Sequence, residues 1–324
     1  VSTAAVIGRS FDLETVIAAS GRSEDESVGA LEELLARRLI LEQSEARPTA
    51  GGSFDFAHGQ LRSLVYEEIS QVRRRLLHRR VADALAVNAR RSGVESAGTS
   101  AALAHHYRLG GAIDKAARWA ALAGEQARQV YANREAIAHF NTALELGAAA
   151  FGDAIPYVIH VHLGDLHTLQ GEYAQALEHY RTAQQAHLVP DGADSGYGKH
   201  SGKEGEIEHR LGRLQQRLGD RSQAVRHFAR ALELLPADAA TQRALVLADW
   251  SLAAYSERDL AAAVHLAQEA LQQAQSGGDQ GVPARVYDIL SLVERKQNNL
   301  PAALDHAERS LAAATSLDDP AAEL

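Results

Sequence analysis

The chain of 324 residues contains no cysteine and no methionine. Without cysteine it has no disulfide, no thiolate nucleophile and no cysteine-ligated zinc, so side-chain packing alone must hold the fold together. A chain that starts at Val1 and lacks every methionine leads us to expect a segment of a longer protein.

The sequence also lacks a long apolar run and an excess of positive charge. No stretch reaches the roughly 18 apolar residues that a membrane span requires, and the first residues lack the basic-then-apolar pattern of a signal peptide. We therefore expect a cytoplasmic protein without a membrane partner. A net charge of -9 at pH 7 does not favour phosphate contacts, so we expect no nucleic acid to bind this chain.

Aromatic residues make up only 5% of the chain, whereas hydrophobic residues in total make up 46% and charged residues 23%. The scarce aromatics are accompanied by abundant Ala, Leu, Glu, Arg and Gln, a mixture that favours helices over sheets. The composition therefore predicts an all-α fold.

Patterns for catalysis, nucleotide binding and metal binding are missing as well. Two Gly-Lys pairs resemble part of a phosphate-binding loop, but His200 and Glu204 stand where Ser or Thr would coordinate magnesium, and no strand precedes them. His160 and His167 share a helix face without a carboxylate to complete a metal set. No base lies beside a nucleophile at helical spacing. We expect no enzymatic activity, no metal and no cofactor in this chain.

The central part of the chain repeats one pattern, LGDLHTLQGEYAQALEHYRTA from Leu163 and LGRLQQRLGDRSQAVRHFARALELLP from Leu211. The first glycine and the first alanine of each copy would let two antiparallel helices approach, the aromatic residue would fill the next gap, and the second glycine would form the turn. Such hairpins cannot bury their faces alone and must stack. The matching positions are Leu163/Leu211, Gly164/Gly212, Gly171/Gly219, Ala176/Ala224, Tyr180/Phe228 and Ala183/Ala231.

This pattern resembles the tetratricopeptide repeat, which reads W-x2-LG-x2-Y, then A-x3-F and a closing proline. Pro236 fits the closing position of the second copy, whereas His160 and Glu208 replace the first aromatic residue. The second copy starts later than a period of about 34 residues would place it. The surplus falls in the Gly-, Ser- and Asp-rich residues 190–205, which we predict to be an exposed loop.

Weaker copies on both sides extend the array to about six hairpins. In the two later copies alanine replaces the aromatic residue, at Ala267 and Ala307. The later copies cover residues 250–271 and 290–311, and the upstream helices are predicted over residues 72–88, 101–109, 113–130 and 133–146. Stacked hairpins of this type predict a right-handed superhelix, or α-solenoid, with one concave face.

The first 70 residues follow another pattern. Residues 12–19 and 25–37 have helical apolar spacing, and Ser23 is placed to cap the second helix. Strands are predicted over residues 39–42 and 54–56, around a turn-rich tip. Two helices followed by a two-stranded wing are the order of a winged helix. We therefore predict a winged-helix-like domain over residues 1–70, helical hairpins over 71–146, and tetratricopeptide repeats over 147–324.

The runs LEELLARRLILEQ, FDFAH, LVYEEIS and RRRLLHRRVADAL resemble the segment that joins the ATPase core to the repeats in signal-transduction ATPases with numerous domains (STAND proteins). That family includes large bacterial transcription regulators. The resemblance covers about residues 1–146, and the repeats continue it. It implies an upstream ATPase domain in the same polypeptide, ATP or ADP bound there, and a nucleotide-sensing contact from His58, which follows the second wing strand. Alternatively, His58 only caps the next helix.

The concave face is the predicted binding site of the repeats. In a tetratricopeptide hairpin the first helix lines this face, and several guanidinium groups there would suit an acidic protein or peptide, or a small anionic ligand. Alternatively these are ordinary solvated side chains. The residues at the lining positions are Glu206, His209, Arg213, Gln216 and Arg217 in one copy, and Arg285, Asp288, Arg295 and Lys296 in the last copy.

The sequence thus favours the sensor or scaffold region of a multidomain signalling ATPase or transcription regulator. Two alternatives remain. One is a free-standing tetratricopeptide scaffold without a nucleotide link. The other is a DNA-binding regulator that uses its own winged helix, against which the acidic residues of the segment 24–33 argue.

Overall fold

The structure is a computed structural model that describes residues 1–43, 52–92, 96–147, 154–187, 200–277 and 281–317. Over these ranges the chain is helical apart from three short strands. It forms two compact units, Val1–Gly152 and Asp153–Leu324, which we call unit 1 and unit 2. Within the same ranges, no helix combines the length and the apolar character that crossing a membrane requires.

Unit 1 starts with helices around a small sheet. Antiparallel pairing gives the strand order β1-β3-β2, with Phe11 opposite Phe54 and Ile40 opposite Phe56. These side chains are buried together with Leu31 and form the core of this part. The elements are α1 (Ser2–Ile7), β1 (Ser10–Asp12), α2 (Leu13–Ser20), α3 (Glu24–Ala36), β2 (Ile40–Gln43) and β3 (Ser53–Phe56).

The predicted helices and strands of this part correspond to α2, α3, β2 and β3, whereas α1 and β1 were not predicted. Ser23 caps α3 as expected, because its hydroxyl accepts from the Glu26 amide at 3.3 Å and the Glu26 carboxylate accepts from the Ser23 amide at 3.2 Å. The predicted tip between the wing strands falls largely on residues 44–51, which lie outside the described ranges.

Five helices complete unit 1: α4 (Gly59–Glu68), α5 (Gln71–Ser92), α6 (Ala97–Leu109), α7 (Ile113–Gln129) and α8 (Asn133–Gly147). A hydrogen-bonded chain of one partly buried and two buried side chains links three of them. The Tyr66 hydroxyl lies 3.0 Å from His78 Nε2, and His78 Nδ1 lies 2.9 Å from His106 Nδ1. Burial, reinforced by neighbouring positive charges, lowers the pKa of His78 to about 4 and that of His106 to about 3. These two histidines are therefore neutral at pH 7 and belong to the core.

The described residues of unit 2 form four consecutive helical hairpins: α9 (Ala154–Gln170) with α10 (Tyr173–His187), α11 (His200–Leu218) with α12 (Arg221–Leu234), α13 (Ala240–Ser256) with α14 (Leu260–Gly277), and α15 (Gly281–Lys296) with α16 (Leu300–Leu317). Each second helix packs on the next hairpin, and the first helices contact one another in the series α9, α11, α13, α15. The predicted stack of hairpins is confirmed here.

The glycine and aromatic positions of the pattern pack as expected in the first two hairpins. A Cβ atom on Gly212 would lie 2.6 Å from the Phe228 ring, and one on Gly164 would lie even closer to the Tyr180 ring. The turn glycines have left-handed backbone angles, with φ of 78° at Gly171 and 81° at Gly219. Close contact between the two helices of each hairpin therefore requires a glycine facing the aromatic ring.

The two later hairpins use another pair of residues at these positions. Ser251 and Ser291 stand where the first copies have glycine, and their hydroxyls donate to the carbonyl oxygens of Ala263 (2.7 Å) and Ala303 (2.9 Å). Ala267 and Ala307 stand where the first copies have the aromatic ring, so that a serine and an alanine replace a glycine and an aromatic residue. The left-handed turn position is filled by Arg258 and Asn298, as it is by Tyr131 in unit 1.

One predicted boundary was wrong. Residues 200–205 were assigned to the exposed loop, but α11 begins at His200. Gly205 is a packing residue, since a Cβ atom there would lie 2.8 Å from the Leu235 side chain. A glycine that signals a loop in the sequence instead lets two elements approach. Residues 190–199 of the predicted loop lie outside the described ranges.

Candidate binding groove

Helix α11 lies between two cavities. The α9–α11 cavity has a volume of about 440 Å³ and is lined by Asp165, Thr168, Leu169, Tyr180, Glu206, His209, Arg210, Arg213, Arg217, Leu235, Gln242 and Leu245. The α11–α13 cavity has a volume of about 380 Å³ and is lined by Arg213, Gln216, Arg217, Gly219, Arg221, Ala224, Asp249, Leu252, Ala253, Ser256 and Arg285. Arg213 and Arg217 line both. We call the two cavities together the α11 groove.

An ion pair joins α9 to α11 in the first cavity. Arg210 Nε lies 3.2 and 3.3 Å from the two carboxylate oxygens of Asp165, which also accepts from the Tyr180 hydroxyl at 2.6 Å. Burial alone would lower the pKa of Arg210, but Asp165 and Glu206 raise it above its usual range. Burial and the Asp165 charge raise the pKa of Tyr180. Arg210 therefore stays charged and is occupied by protein carboxylates.

A buried carboxylate joins α11, α13 and α15 in the second cavity. The Asp249 side chain is 3% exposed, and its oxygens lie 2.8 Å from His209 Nε2 and 3.5 Å from Arg213 Nε. It also accepts from the Arg285 guanidinium. Burial alone would raise the pKa of Asp249, but the hydrogen bond from His209 and the positive charges of Arg285 and Arg213 lower it below its usual value. Asp249 is therefore ionised and fixes three basic side chains.

These two ion pairs occupy equivalent repeat positions with opposite charge. Each pair joins the first helices of two successive hairpins. One member is the second residue after the leading leucine of its helix. The other member comes directly before the position that is equivalent to this leucine in the next first helix. The first junction pairs Asp165 with Arg210, and the second pairs Arg213 with Asp249. The position of the contact is repeated along the array, while the sign of its members is exchanged.

Two arginines of the groove have no intramolecular partner within the described residues. Arg217, on the last turn of α11, and Arg221, the first residue of α12, are exposed, and neither forms a hydrogen bond or an ion pair in that part of the chain. Both arginines line the α11–α13 cavity, and Arg217 also lines the α9–α11 cavity. An occupant of the groove would therefore meet two guanidinium groups that are not already engaged.

No protein-family model and no curated protein sequence matches the chain. Solved structures with a similar fold include BtubC from P. vanneervenii, with a TM-score of 0.52 at 17% identity over 73% of this chain and 92% of that chain. The apo form of RapI has a TM-score of 0.50 at 11% identity over 91% and 93% of the two chains. A STAND protein with a tetratricopeptide repeat sensor from Pyrococcus horikoshii also has a TM-score of 0.50, at 12% identity.

The last comparison covers 98% of this chain and 45% of the Pyrococcus protein. The chain is an all-α, tetratricopeptide-like helical solenoid. At these identities the likeness establishes the fold and no activity. Within unit 2, charged side chains line the two adjoining cavities of the α11 groove.

The structure brings six of the nine residues predicted for the groove to these cavities. Glu206, His209, Arg213 and Arg217 line the first, and Arg213, Gln216, Arg217 and Arg285 line the second. Asp288, Arg295 and Lys296 line neither cavity, and Arg295 and Lys296 lie in the last turn of α15. Arg213 and Arg285 were predicted to be available to a ligand, whereas both contact Asp249.

Sequence reasoning missed Asp165, Arg210, Arg221 and Asp249. Each belongs to a contact or cavity between hairpins, which the lining positions of a single hairpin do not report. The signal that was available is the charge at equivalent positions of successive copies, Asp165 against Arg213 and Arg210 against Asp249.

The candidate site of unit 1, His58, occupies the N-cap position of α4 and is exposed, but its side chain makes no capping hydrogen bond. The capping alternative for this side chain is therefore wrong. Nearby basic residues of α5 bind helix ends: Arg74 donates to the Tyr66 carbonyl at 2.8 Å and Arg79 to the Gly110 carbonyl at 3.0 Å. Arg74 and Arg79 therefore serve the packing of unit 1.

Proposed function

We propose that unit 2 is a non-enzymatic binding module that captures an anionic segment of a protein or peptide in the α11 groove. The observation that carries the proposal is Arg217, whose guanidinium has no partner among the described residues and lines both adjoining cavities. An elongated occupant would contact both cavities at once, and its acidic groups would meet Arg217 and Arg221. A small anionic ligand would fill only one of the cavities, whose volumes lie in the range typical of ligand sites.

Two features favour recognition by fixed side chains. Asp249 holds Arg213 and Arg285 in place, so that little side-chain entropy would be lost when they meet an anion. Leu169, Leu235 and Leu245 supply an apolar wall to the first cavity. A partner segment that combines acidic and aliphatic side chains would match this surface.

The test is a peptide-display selection on the immobilised chain, followed by affinity measurement of the enriched peptides. We expect enrichment of Asp and Glu, and at least about tenfold weaker binding to an Arg217→Glu variant. Arg226→Glu is the matched control, since Arg226 is exposed on α12 and lines neither cavity. Peptides without acidic residues, or equal affinity for wild type and Arg217→Glu, would contradict the proposal.

We also infer that the chain is the sensor region of a larger STAND-type signalling ATPase or transcription regulator. Support comes from the wing and linker motifs, from the arrangement of three helices and three strands before α4, and from the fold likeness to the Pyrococcus protein. In that setting unit 1 would be the winged-helix segment, ATP or ADP would bind the upstream domain, and His58 would contact the nucleotide. A GxxxxGK[ST] motif upstream in the gene is the expected finding, and its absence would favour a free-standing scaffold.

Binding of DNA by unit 1 is the less favoured alternative. The residues of α3 that a recognition helix would present are acidic and exposed, including Glu24, Asp25, Glu26, Glu32 and Glu33. Carboxylates at these positions would repel phosphate. Salt-dependent binding of the chain to duplex DNA would instead favour the DNA-binding alternative.

A further inference from the structure

The two cavities of the α11 groove differ in charge. The α9–α11 cavity has three arginines and two carboxylates in its lining, so that its charged side chains nearly balance. The α11–α13 cavity has four arginines, namely Arg213, Arg217, Arg221 and Arg285, and the single carboxylate of Asp249. In a chain with a net charge of -9, this cavity is a local concentration of positive charge.

We propose that the α11–α13 cavity binds the phosphoryl group of a phosphorylated peptide. This assignment rests on the proposed function and names the chemistry of its occupant. Arg217 and Arg221 contact the phosphoryl oxygens directly, because no protein carboxylate engages them in the described part of the chain. Arg213 and Arg285 are positioning residues, since Asp249 fixes their guanidinium groups beside the cavity.

Charge and geometry favour a phosphoryl group over a carboxylate. A carboxylate brings one charge and two oxygens, which leaves most of the positive charge of this cavity unmatched. A phosphoryl group brings a charge of about -1.5 to -2 at pH 7 and three strong acceptor oxygens. Guanidinium groups donate in a planar fork that matches such oxygens in pairs. Four guanidinium groups and one carboxylate in the lining leave an excess of positive charge that a dianion matches more closely than a monoanion does.

The remaining lining supports such an anion without competing for it. The apolar side chains of Ala224, Leu252 and Ala253 form part of the wall, and an environment of lower polarity strengthens the attraction between opposite charges. Gln216 adds a neutral amide donor. Asp220, which directly precedes Arg221, does not line the cavity. Its carboxylate accepts from the Gln223 amide at 3.1 Å and so caps α12.

The test compares phenyl phosphate with benzoate by isothermal titration calorimetry at one fixed low salt concentration. The two probes share a phenyl ring and differ in the charge and number of oxygens of the anionic group. We expect wild type to bind phenyl phosphate about tenfold more tightly than benzoate. The Arg217→Gln/Arg221→Gln variant should lose this preference.

The matched control is Arg181→Gln/Arg226→Gln, which removes two exposed arginines from α10 and α12 that line neither cavity. It should keep the wild-type preference, and circular dichroism should show that both double variants remain folded. Equal affinity of wild type for the two probes, or a preference that survives Arg217→Gln/Arg221→Gln, would overturn the assignment.

A second arm separates this assignment from the proposed function and identifies the source of the phosphoryl group. An acidic peptide from the display selection is titrated with and without one phosphoserine, beside inorganic phosphate. Tighter binding of the phosphorylated peptide than of both other probes supports the assignment. Binding that depends on Arg217 but not on phosphorylation overturns it and leaves the proposed function standing. If inorganic phosphate binds as tightly as the phosphopeptide, the claim that the phosphoryl group belongs to a peptide is overturned. If no probe binds, both proposals fail.

Discussion

The α9–α11 and α11–α13 junctions are built from the same repeat positions, yet they differ in burial. At the first, the Asp165 side chain is 39% exposed and its partner Arg210 is 27% exposed. At the second, the Asp249 side chain is 3% exposed. The comparison teaches that the repeat fixes where an ion pair forms, while burial determines its role. The partly exposed pair belongs to a cavity whose charges nearly balance, whereas the buried carboxylate of Asp249 is the single negative group among the four arginines that line the α11–α13 cavity.

Removal of the buried carboxylate should have the largest effect. We expect Asp249→Ala to lower the free energy of unfolding by roughly 2–4 kcal/mol, because His209, Arg213 and Arg285 would lose their shared partner. Urea denaturation followed by circular dichroism measures this difference. A loss under about 1 kcal/mol would mean that burial does not distinguish the two junctions.

Acidification should act on the same junction. The pKa of Asp249 is lower in the folded chain than its ordinary value, so the folded chain binds this proton more weakly than the unfolded chain does. The stabilisation is therefore complete above the unfolded pKa of about 3.9 and is lost as the pH falls toward the lower folded value. Denaturation at several pH values should show a smaller loss below about pH 4 for Asp249→Asn than for wild type. Parallel curves would contradict the shifted pKa.

Charge reversal should affect stability differently at Arg213 and Arg217, the two arginines that line both cavities. Arg213→Glu would place a carboxylate beside buried Asp249, and we expect a loss of about 1–3 kcal/mol in unfolding free energy. Arg217→Glu should change it by less than about 0.5 kcal/mol, since Arg217 has no partner within the described residues. Equal effects in denaturation would contradict the distinct roles.

The smallest effect is expected at the exposed junction. Asp165→Asn should lower the free energy of unfolding by about 1 kcal/mol or less, because the Asp165–Arg210 pair is partly solvated and the amide can still accept from Tyr180. The same denaturation experiment measures it. A loss as large as that of Asp249→Ala would show that the junctions are energetically alike.

The sequence predicted the hairpins well because their packing depends on residues close in the chain. Glycine and alanine at fixed intervals mark close helix contacts, and Gly212 against Phe228 follows this rule. The same rule did not reveal Ser251, whose hydroxyl bonds a carbonyl across the hairpin. It also misassigned Gly205, where a residue distant in sequence, Leu235, explains the glycine.

The groove was predicted only in part for a related reason. Positions on one helix can be assigned from helical periodicity, and this placed His209, Arg213 and Arg217 correctly beside the cavities. Pairing between successive first helices depends on their relative register, which no local pattern specifies. The sequence therefore does not reveal that Asp249 is buried and that it holds Arg213.

The left-handed turns have a practical consequence. Tyr131, Arg258 and Asn298 adopt positive φ angles of 59°, 67° and 63° at the turn position that glycine fills in other hairpins. Side chains with a Cβ atom disfavour this conformation by roughly 1–2 kcal/mol, so the packed helices impose these turns on the chain. Glycine at such sites should raise the stability of the protein without changing the lining of the α11 groove. Such a variant would suit long titrations and crystallisation with a bound ligand.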